Sequence, residues 1–456
     1  MRILILSFFV LNAAFVSGQA LIQEANGFML NYRYLHQSAY LENDVVMVAG
    51  GWMDGSTTTS VEIFNPGTGE WEEGTPMNAP RTTFAMAALN NGYVIAAGGW
   101  DGGGTNYTAT EIYDHDLEQW MEGPALSEGR ADLVTVALGD GRILFCGGFN
   151  GMSNLGATDI YDPVSNTMTT GADMLFPRSF HAATLLDDGR VLVAGGFNPD
   201  FGFQMEEAEI YDPFLDTWTQ VASLPMAVDH ATLFNPGSSA TGVDAILVGG
   251  RVFTGDYEGT TTGYVYDAAA DTWTSFTLPA AISYAKAAVS VGEGAEPGAT
   301  LFGGVNDTGN NVSTTYSGTM YVGGETNVEA ALVNPAGEDR WNPSVCPMVS
   351  AGASEDRFMV TGGDSGQIGT YEIWGLGYVG VDEEEKKAWS CFPNPAIDRV
   401  TLMGEQFDQW SIYNTNGAIV ATGKASIIEV GLLARGNYIL EVQQGERKQS
   451  MQIQLK

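Results

Sequence analysis

The sequence predicts an all-β protein, a ring of repeated four-stranded units followed by a small β-sandwich, and three observations carry that prediction. The first is an apolar run that keeps returning with two glycines at its end. It reads VMVAGG at Gly50-Gly51, VIAAGG at Gly98-Gly99, ILFCGG at Gly147-Gly148 and VLVAGG at Gly195-Gly196, with weaker copies at Gly249-Gly250, Gly303-Gly304 and Gly362-Gly363. The steps between second glycines are 48, 49, 48, 54, 54 and 59 residues, a period that marks a solenoid, an array or a propeller. The second is composition: 58 glycines and 11% aromatic residues, with no long charged helical pattern, lean to strands joined by tight turns. The third is a change of character beyond residue 390, where short strand-like runs replace the repeat.

Each repeat resolves into strands. Arg33 to Gly51 is an interval of 18 residues, as are Arg81 to Gly99, Arg130 to Gly148 and Arg178 to Gly196. Inside it two apolar runs flank a turn, such as Asn90-Asn91-Gly92, Asp140-Gly141 or Asp188-Gly189, and Asn-Gly or Asp-Gly between apolar runs signals a hairpin. A loop rich in Asp, Asn, Gly and Thr follows, then a third strand: VEIFNP, TEIYDH, TDIYDP, AEIYDP, GYVYDA. Six residues past its Asn or Asp comes the marker of a fourth: Asn65 to Trp71, Asp114 to Trp120, Asp162 to Met168, Asp212 to Trp218 and Asp267 to Trp273. Four short antiparallel strands per unit is the pattern of a propeller blade, and seven double glycines imply seven blades. Paired glycines suit positive φ and close approach of neighbouring blades. The last unit has no fourth strand after TYEIWGLGYV. The segment Ala20 to Gly27 is expected to supply it, leaving the ring no open edge.

The ends and the charge bound the function. Met1-Arg2, an apolar run from Ile3 to Val16 and then Ser17-Gly18 read as a secretory signal peptide cut after Gly18. No later stretch approaches the roughly 18 consecutive apolar residues of a membrane span. With 55 acidic against 19 basic residues the formal charge is −36, which disfavours nucleic acid and anionic lipid as general partners. Cys146, Cys346 and Cys391 are too few and scattered for a disulfide framework, and Cys146 sits in an apolar strand as a core residue.

The double glycine, the Tyr-Asp about a dozen residues on and the Trp six residues later together resemble the kelch family, over roughly residues 20 to 378. The resemblance implies a propeller of kelch blades. Met168 in place of Trp, the extra NPGSSATG in the fifth unit and the late Trp341 in the sixth depart from the pattern and leave six to eight blades open. Residues 380–390, with DEEEKKAW, read as a linker. From Cys391 the runs RVTLM, WSIYN, AIVATG, IIEVG, NYILEV and QIQLK make a small β-sandwich by pattern. Pro393-Asn394-Pro395, IYNTNGAIV and LLARGNYILEV in this order resemble the Ig-like C-terminal sorting domain of type IX secretion in Bacteroidetes. That resemblance implies the secretion machinery as partner, passage through the periplasm, and a final place outside the cell or on its surface. The expected division is therefore a signal peptide at 1–18, a propeller at 19–379, a linker at 380–390 and a sorting domain at 391–456.

The chemistry is sparse. His36 and His181 fall three residues after a repeat arginine, where kelch repeats often carry histidine; His115 and His230 complete the set of four. No zinc-spaced pair, nucleophile elbow or phosphate loop is present, so no catalytic residue and no cofactor are expected. Asp54-Gly55, Asp101-Gly102-Gly103 and Asn306-Asp307 are turn clusters whose oxygens suit calcium. One geometric argument offers a site. The repeat arginine opens the innermost strand and the residue after the glycines closes the second, so both belong to one face. Arg33, Arg81, Arg130 and Arg178 would then neighbour Trp52, Trp100, Phe149 and Phe197 and hold an anionic sugar or glycan, although such arginines also serve to tie blades together. Two functions follow: an exported scaffold binding protein or glycan, or a carbohydrate-active enzyme on the scaffold of sialic acid mutarotases or galactose oxidase. The enzyme would need a carboxylate near an arginine in the channel, such as Asp132 or Asp229.

Overall fold

The computed structural model describes residues 19–378 and 389–455 apart from short internal segments, the longest being 291–297, 303–316, 334–343, 349–356 and 363–369. The proposed signal peptide, Gly303-Gly304, Asn306-Asp307, Trp341 and most of the linker lie outside the described residues. The chain divides into a unit from Met1 to Gly377 and a second from Tyr378 to Lys456.

In the first unit the repeats fold as the spacing predicts. The first sheet runs Gln37–Tyr40, Val46–Ala49, Val61–Asn65 and Glu70–Gly74 in that order, every pair antiparallel. Sheets starting at Ala85, Val134, Ala182, Thr232 and Lys286 repeat the plan, the fifth with an added edge strand, Arg251–Phe253. The seventh sheet is Ser344–Met348, Arg357–Thr361 and Thr370–Tyr378, with Gln19–Phe28 as its outermost strand. The expected closure by the N-terminal segment is thus observed. Innermost strands of successive sheets are neighbours, and that of the seventh lies against that of the first. His36 Nε2 to Thr361 Oγ1 at 2.9 Å and Ser38 Oγ to Ser344 Oγ at 2.6 Å cross this seam.

The core is divided into wedges between neighbouring sheets. Val46, Val48 and Phe64 of the first pack on Cys346, Met359 and Ile373 of the seventh; Val136, Leu144 and Cys146 of the third pack on Val191, Val193, Tyr211 and Trp218 of the fourth. The second strand of a sheet has both faces covered, which is why Val46–Ala49 and its equivalents are buried without alternation. Trp120, Trp218 and Trp273 each donate their indole N–H to a carbonyl of the preceding sheet, Thr75, Ala172 and Ala222, at 2.8–3.0 Å.

The double glycines are required by space as well as by φ. Gly50 and Gly51 sit at φ 63° and 97°, and a Cβ on either would stand 2.7 Å from a backbone carbonyl, of Arg81 and Tyr34 respectively. The second glycine's N–H donates to the repeat arginine's carbonyl in the next sheet: Gly51 to Arg81, Gly99 to Arg130 and Gly148 to Arg178, at 2.8–2.9 Å.

The arginine side chains do not face a ligand. Arg33, Arg81, Arg130 and Arg178 are 0% exposed, and each turns into its own sheet to meet a carboxylate on the third strand: Glu62, Glu111, Asp159 and Glu209. Arg81 Nη1 also donates to the carbonyls of Gly98 at 2.7 Å and Ala109 at 3.1 Å, and Arg178 Nη1 to those of Gly195 and Glu207 at 2.7 Å. The carboxylates in turn accept backbone N–H groups of the incoming connection, Asn78 and Ala79 for Glu111, Leu175 and Phe176 for Glu209. This corrects the expectation of a ligand-binding arginine ring: the guanidinium groups are buried inside the sheets, each with Nη2 on a third-strand carboxylate.

The second unit has two sheets, one of Trp389–Phe392, Arg399–Gly404 and Ile427–Glu429, the other ordered Ile419–Gly423, Gln409–Tyr413, Gly436–Gln444, Arg447–Leu455. Trp410, Ile412, Leu440 and Val442 on the larger sheet and Ile428 on the smaller are buried, and the Trp410 indole N–H is satisfied by the Ala425 carbonyl at 2.8 Å.

Removing one partner of a buried pair strands the other charge. Arg81→Ala is therefore expected to destabilise the protein by about 3–5 kcal/mol, whereas Arg142→Ala, which loses a half-exposed pair with Asp140 and a long bond to the Pro213 carbonyl, is expected to cost about 1 kcal/mol or less. Urea titration of both variants checks the contrast; equal losses would contradict the internal role.

Candidate functional site

The arginine backbone, unlike its side chain, shapes the centre of the ring. The residue after each arginine pairs with the residue after the glycines: Tyr34 with Trp52, Thr82 with Trp100, Ala131 with Phe149 and Ser179 with Phe197; after Val228 in the fifth sheet, Asp229 pairs with Arg251 in the same way. The next residue is left-handed in every described case: Leu35, Thr83, Asp132, Phe180, His230 and Tyr284 have φ between 49° and 59°. A bulky residue there carries strain, and backbone bonds between sheets hold it. Thr83 N donates to Leu35 O, Asp132 N to Thr83 O, His230 N to Phe180 O and Tyr284 N to His230 O, at 3.0–3.3 Å.

These left-handed residues line a central cavity of about 1130 Å³ to which all seven sheets contribute. Its walls are of two kinds. On one side Trp52 and Trp100 stand nearly parallel, ring centres 5.9 Å apart with 13° between planes, and Phe149 lies beyond. Three of the four predicted aromatics are therefore at the cavity. Phe197 is not among its lining residues and packs on Phe180 and Phe203.

The other side carries charge. In the fifth sheet Val228 stands where the first four sheets have arginine, and Arg251 stands where those four have Trp or Phe. Asp229 is fully buried and held by Arg251 Nε at 2.8 Å, Arg251 Nη2 at 2.9 Å, Gln204 Nε2 at 3.1 Å and His230 Nδ1 at 2.9 Å. Burial pushes the Asp229 carboxyl up, but its bonds to His230 and Arg251 outweigh that and hold it below the usual range. Desolvation lowers His230, with Asp229 opposing, so the imidazole is neutral at physiological pH. Its ring lies between Phe180, stacked at 4.3 Å, and Tyr284, tilted at 4.2 Å. Lys286 and Asp132 complete the charged lining, and desolvation pushes the Asp132 carboxyl up to about 7 against a hydrogen bond from Thr83.

Sequence reasoning named Asp132 and Asp229 as channel carboxylates and missed Arg251, Lys286 and the role of His230. A signal existed: the fifth GlyGly is followed by Arg rather than an aromatic residue.

No three of the described His, Cys, Asp or Glu side chains converge as a metal-ion set. In the calcium candidates, Asp54 accepts from the Tyr32 hydroxyl at 2.6 Å and Asp101 from Gly103 N and Thr105 N at 2.7 and 2.8 Å. These are turn-forming bonds, and the calcium expectation finds no support in them.

A carboxyl that binds its proton more tightly folded than unfolded makes the protein lose stability as pH rises from the unfolded value through the folded one. For Asp132 that window is about pH 4 to 7. The stability of Asp132→Asn relative to the parent is expected to rise across that interval, and infrared titration should show a carboxyl band near neutral pH that the variant lacks. A flat difference across the interval would contradict the raised pKa.

The comparisons agree with this architecture. The Kelch motif family matches residues 43–78 and 177–225, and the secretion system C-terminal sorting domain family matches residues 390–456. No curated protein matches the sequence. Among solved structures, YjhT is similar with a TM-score of 0.50 at 14% identity, covering 67% of this chain and 99% of that one. A fungal alcohol oxidase of the AA5 family, solved in complex with copper, has a TM-score of 0.61 at 14% identity, covering 95% and 99%. Likeness at this identity speaks to fold alone. The chain carries kelch motifs on an all-β propeller fold and ends in a type IX sorting domain, which marks it as an exported protein.

Proposed function

We propose that this exported protein is a binding scaffold whose central cavity takes an anionic glycan. The observation that carries the reading is the two-sided cavity: parallel indoles of Trp52 and Trp100 facing a corner with the cations Arg251 and Lys286. Aromatic faces suit the apolar faces of sugar rings, and cations in a partly desolvated cleft suit a carboxylate or sulfate. On a chain of formal charge −36, a cationic corner also draws an anion to one place. A concave cavity favours a glycan chain end over a protein surface. The reading includes a signal peptide at 1–18, the propeller at 19–379, a linker at 380–390 and the sorting domain at 391–456.

A second reading, a carbohydrate-active enzyme using the same cavity, is favoured by one observation. Asp132 near neutrality and a neutral His230 oriented by Asp229 are groups of the kind that move protons.

A glycan array with the full chain is expected to show binding to carboxylated or sulfated glycans. Trp100→Ala and Arg251→Gln should each weaken it by about tenfold or more, with unchanged melting temperature for Trp100→Ala. Binding only to neutral glycans, or none, would overturn the reading and turn the search to protein partners. Incubation of any bound glycan with the protein, followed by mass and anomer analysis, separates binding from turnover. Removal of residues 390–456 is expected to leave the chain in the periplasm, as cell fractionation would show.

A further inference from the structure

Lys286 is singular in sequence and in place. No lysine precedes it and the next is Lys386, so the first unit holds one lysine. Strand register puts it in a defined layer. Gln37, Ala85, Val134, Ala182, Thr232, Lys286 and Ser344 each open an innermost strand, paired with the last residue of the second strand. Six of the seven are neutral. This layer lies two residues past the left-handed ring, and in the sixth sheet the two positions are Tyr284 and Lys286.

Lys286 lines the cavity and is exposed to it. No described carboxylate stands at ion-pair distance from its amine; the cation Arg251 and the aromatic rings of Tyr284 and His230 share that side of the cavity. An ammonium in this setting lacks the anion that would hold its proton, and desolvation lowers its pKa. A lysine in an apolar or cationic setting is the kind that acts as a nucleophile.

We propose that Lys286 is a nucleophilic amine that forms an imine with the carbonyl group of a small aldehyde or keto acid held in the cavity. The Nζ lone pair attacks the carbonyl carbon, and one amine proton passes to the carbonyl oxygen to give a carbinolamine. The C–O bond then breaks, the hydroxyl leaves as water with the second amine proton, and a C=N bond remains. No oxidant or reductant is needed, and hydrolysis reverses the step. The proposal uses the cavity of the preceding section but does not require that its natural ligand be a glycan.

The test is reductive trapping on the full chain at neutral pH, with pyruvate and, separately, acetaldehyde as probes and cyanoborohydride as reductant, read by peptide mass mapping. The expected result is an adduct at Lys286 that forms faster than at Lys424, an exposed lysine of the second unit. Lys286→Arg, which keeps the cation but cannot form the imine, should show no lysine adduct in the first unit while keeping its melting temperature. An unmodified Lys286, or one labelled no faster than Lys424, would overturn the proposal. Trapping without glycan binding leaves the imine standing and removes the glycan; binding without trapping does the reverse.

Discussion

A guanidinium taken out of water beside a carboxylate gains little net stability, because desolvation of both groups offsets their attraction. In this protein burial shifts Arg178 and Glu209 both towards their neutral forms, each opposed by the other. What the pair supplies is position. The arginine's Nη1 binds the carbonyl of the first left-handed glycine, its Nη2 binds the third strand, and that carboxylate fastens two amides of the incoming connection. Three segments that share no regular structure are fixed to one point. The arginine's own carbonyl meanwhile takes the N–H of the preceding sheet's second glycine. The pair therefore sets both the entry of each sheet and its spacing to the sheet before.

The strained ring around the cavity does not need the arginine side chain, since His230 and Tyr284 are left-handed behind Val228 and Ile282 as Thr83 and Asp132 are behind Arg81 and Arg130. What the sheets share is backbone: the next residue is drawn into pairing with the residue after the glycines, and the chain must then turn back into the innermost strand. The turn is made by one left-handed residue, which at Thr83, Asp132, His230 and Tyr284 is tied by its amide to the carbonyl of a counterpart in the preceding sheet. Its conformation is imposed by both neighbours rather than by its own preference, so Leu35, Thr83 and Phe180 adopt it as readily as Asp132. The side chain at that position is free to vary without loss of the ring, and function can be written there.

The fold was legible because its signals repeat: double glycines, hairpin turns and outer tryptophans return at fixed offsets, and their physical causes are local. The arginine's role does not follow from the face to which its backbone belongs, because the side chain turns back into its own sheet. The needed clue stood in the third strands, where VEIF, TEIY, TDIY and AEIY place an acid between apolar residues. Where Val228 replaces the arginine, Tyr264 replaces the acid, and the two are buried in one apolar cluster. Arginine and carboxylate are lost together, as a buried pair requires. The left-handed ring and the lysine layer were not legible, since they are united by backbone conformation and register while their residue types differ in every sheet.

The fifth sheet shows how the scaffold gains chemistry. Once Val228 and Tyr264 fill the interior, that sheet no longer needs a buried cation, and its charges appear one step outward. Asp229 follows Val228, and Arg251 follows the glycines. They bind one another at the cavity wall with His230 oriented between two aromatic rings. The same backbone pairing that elsewhere presents Trp52 or Trp100 here presents a guanidinium. The staples in the first four sheets are intact, and the fifth and sixth, with Val228 and Ile282 in the arginine's place, keep the same left-handed turn at His230 and Tyr284. Asymmetry among otherwise similar units is thereby concentrated on one side of the cavity, which turns a structural repeat into a site with an aromatic wall and a cationic one.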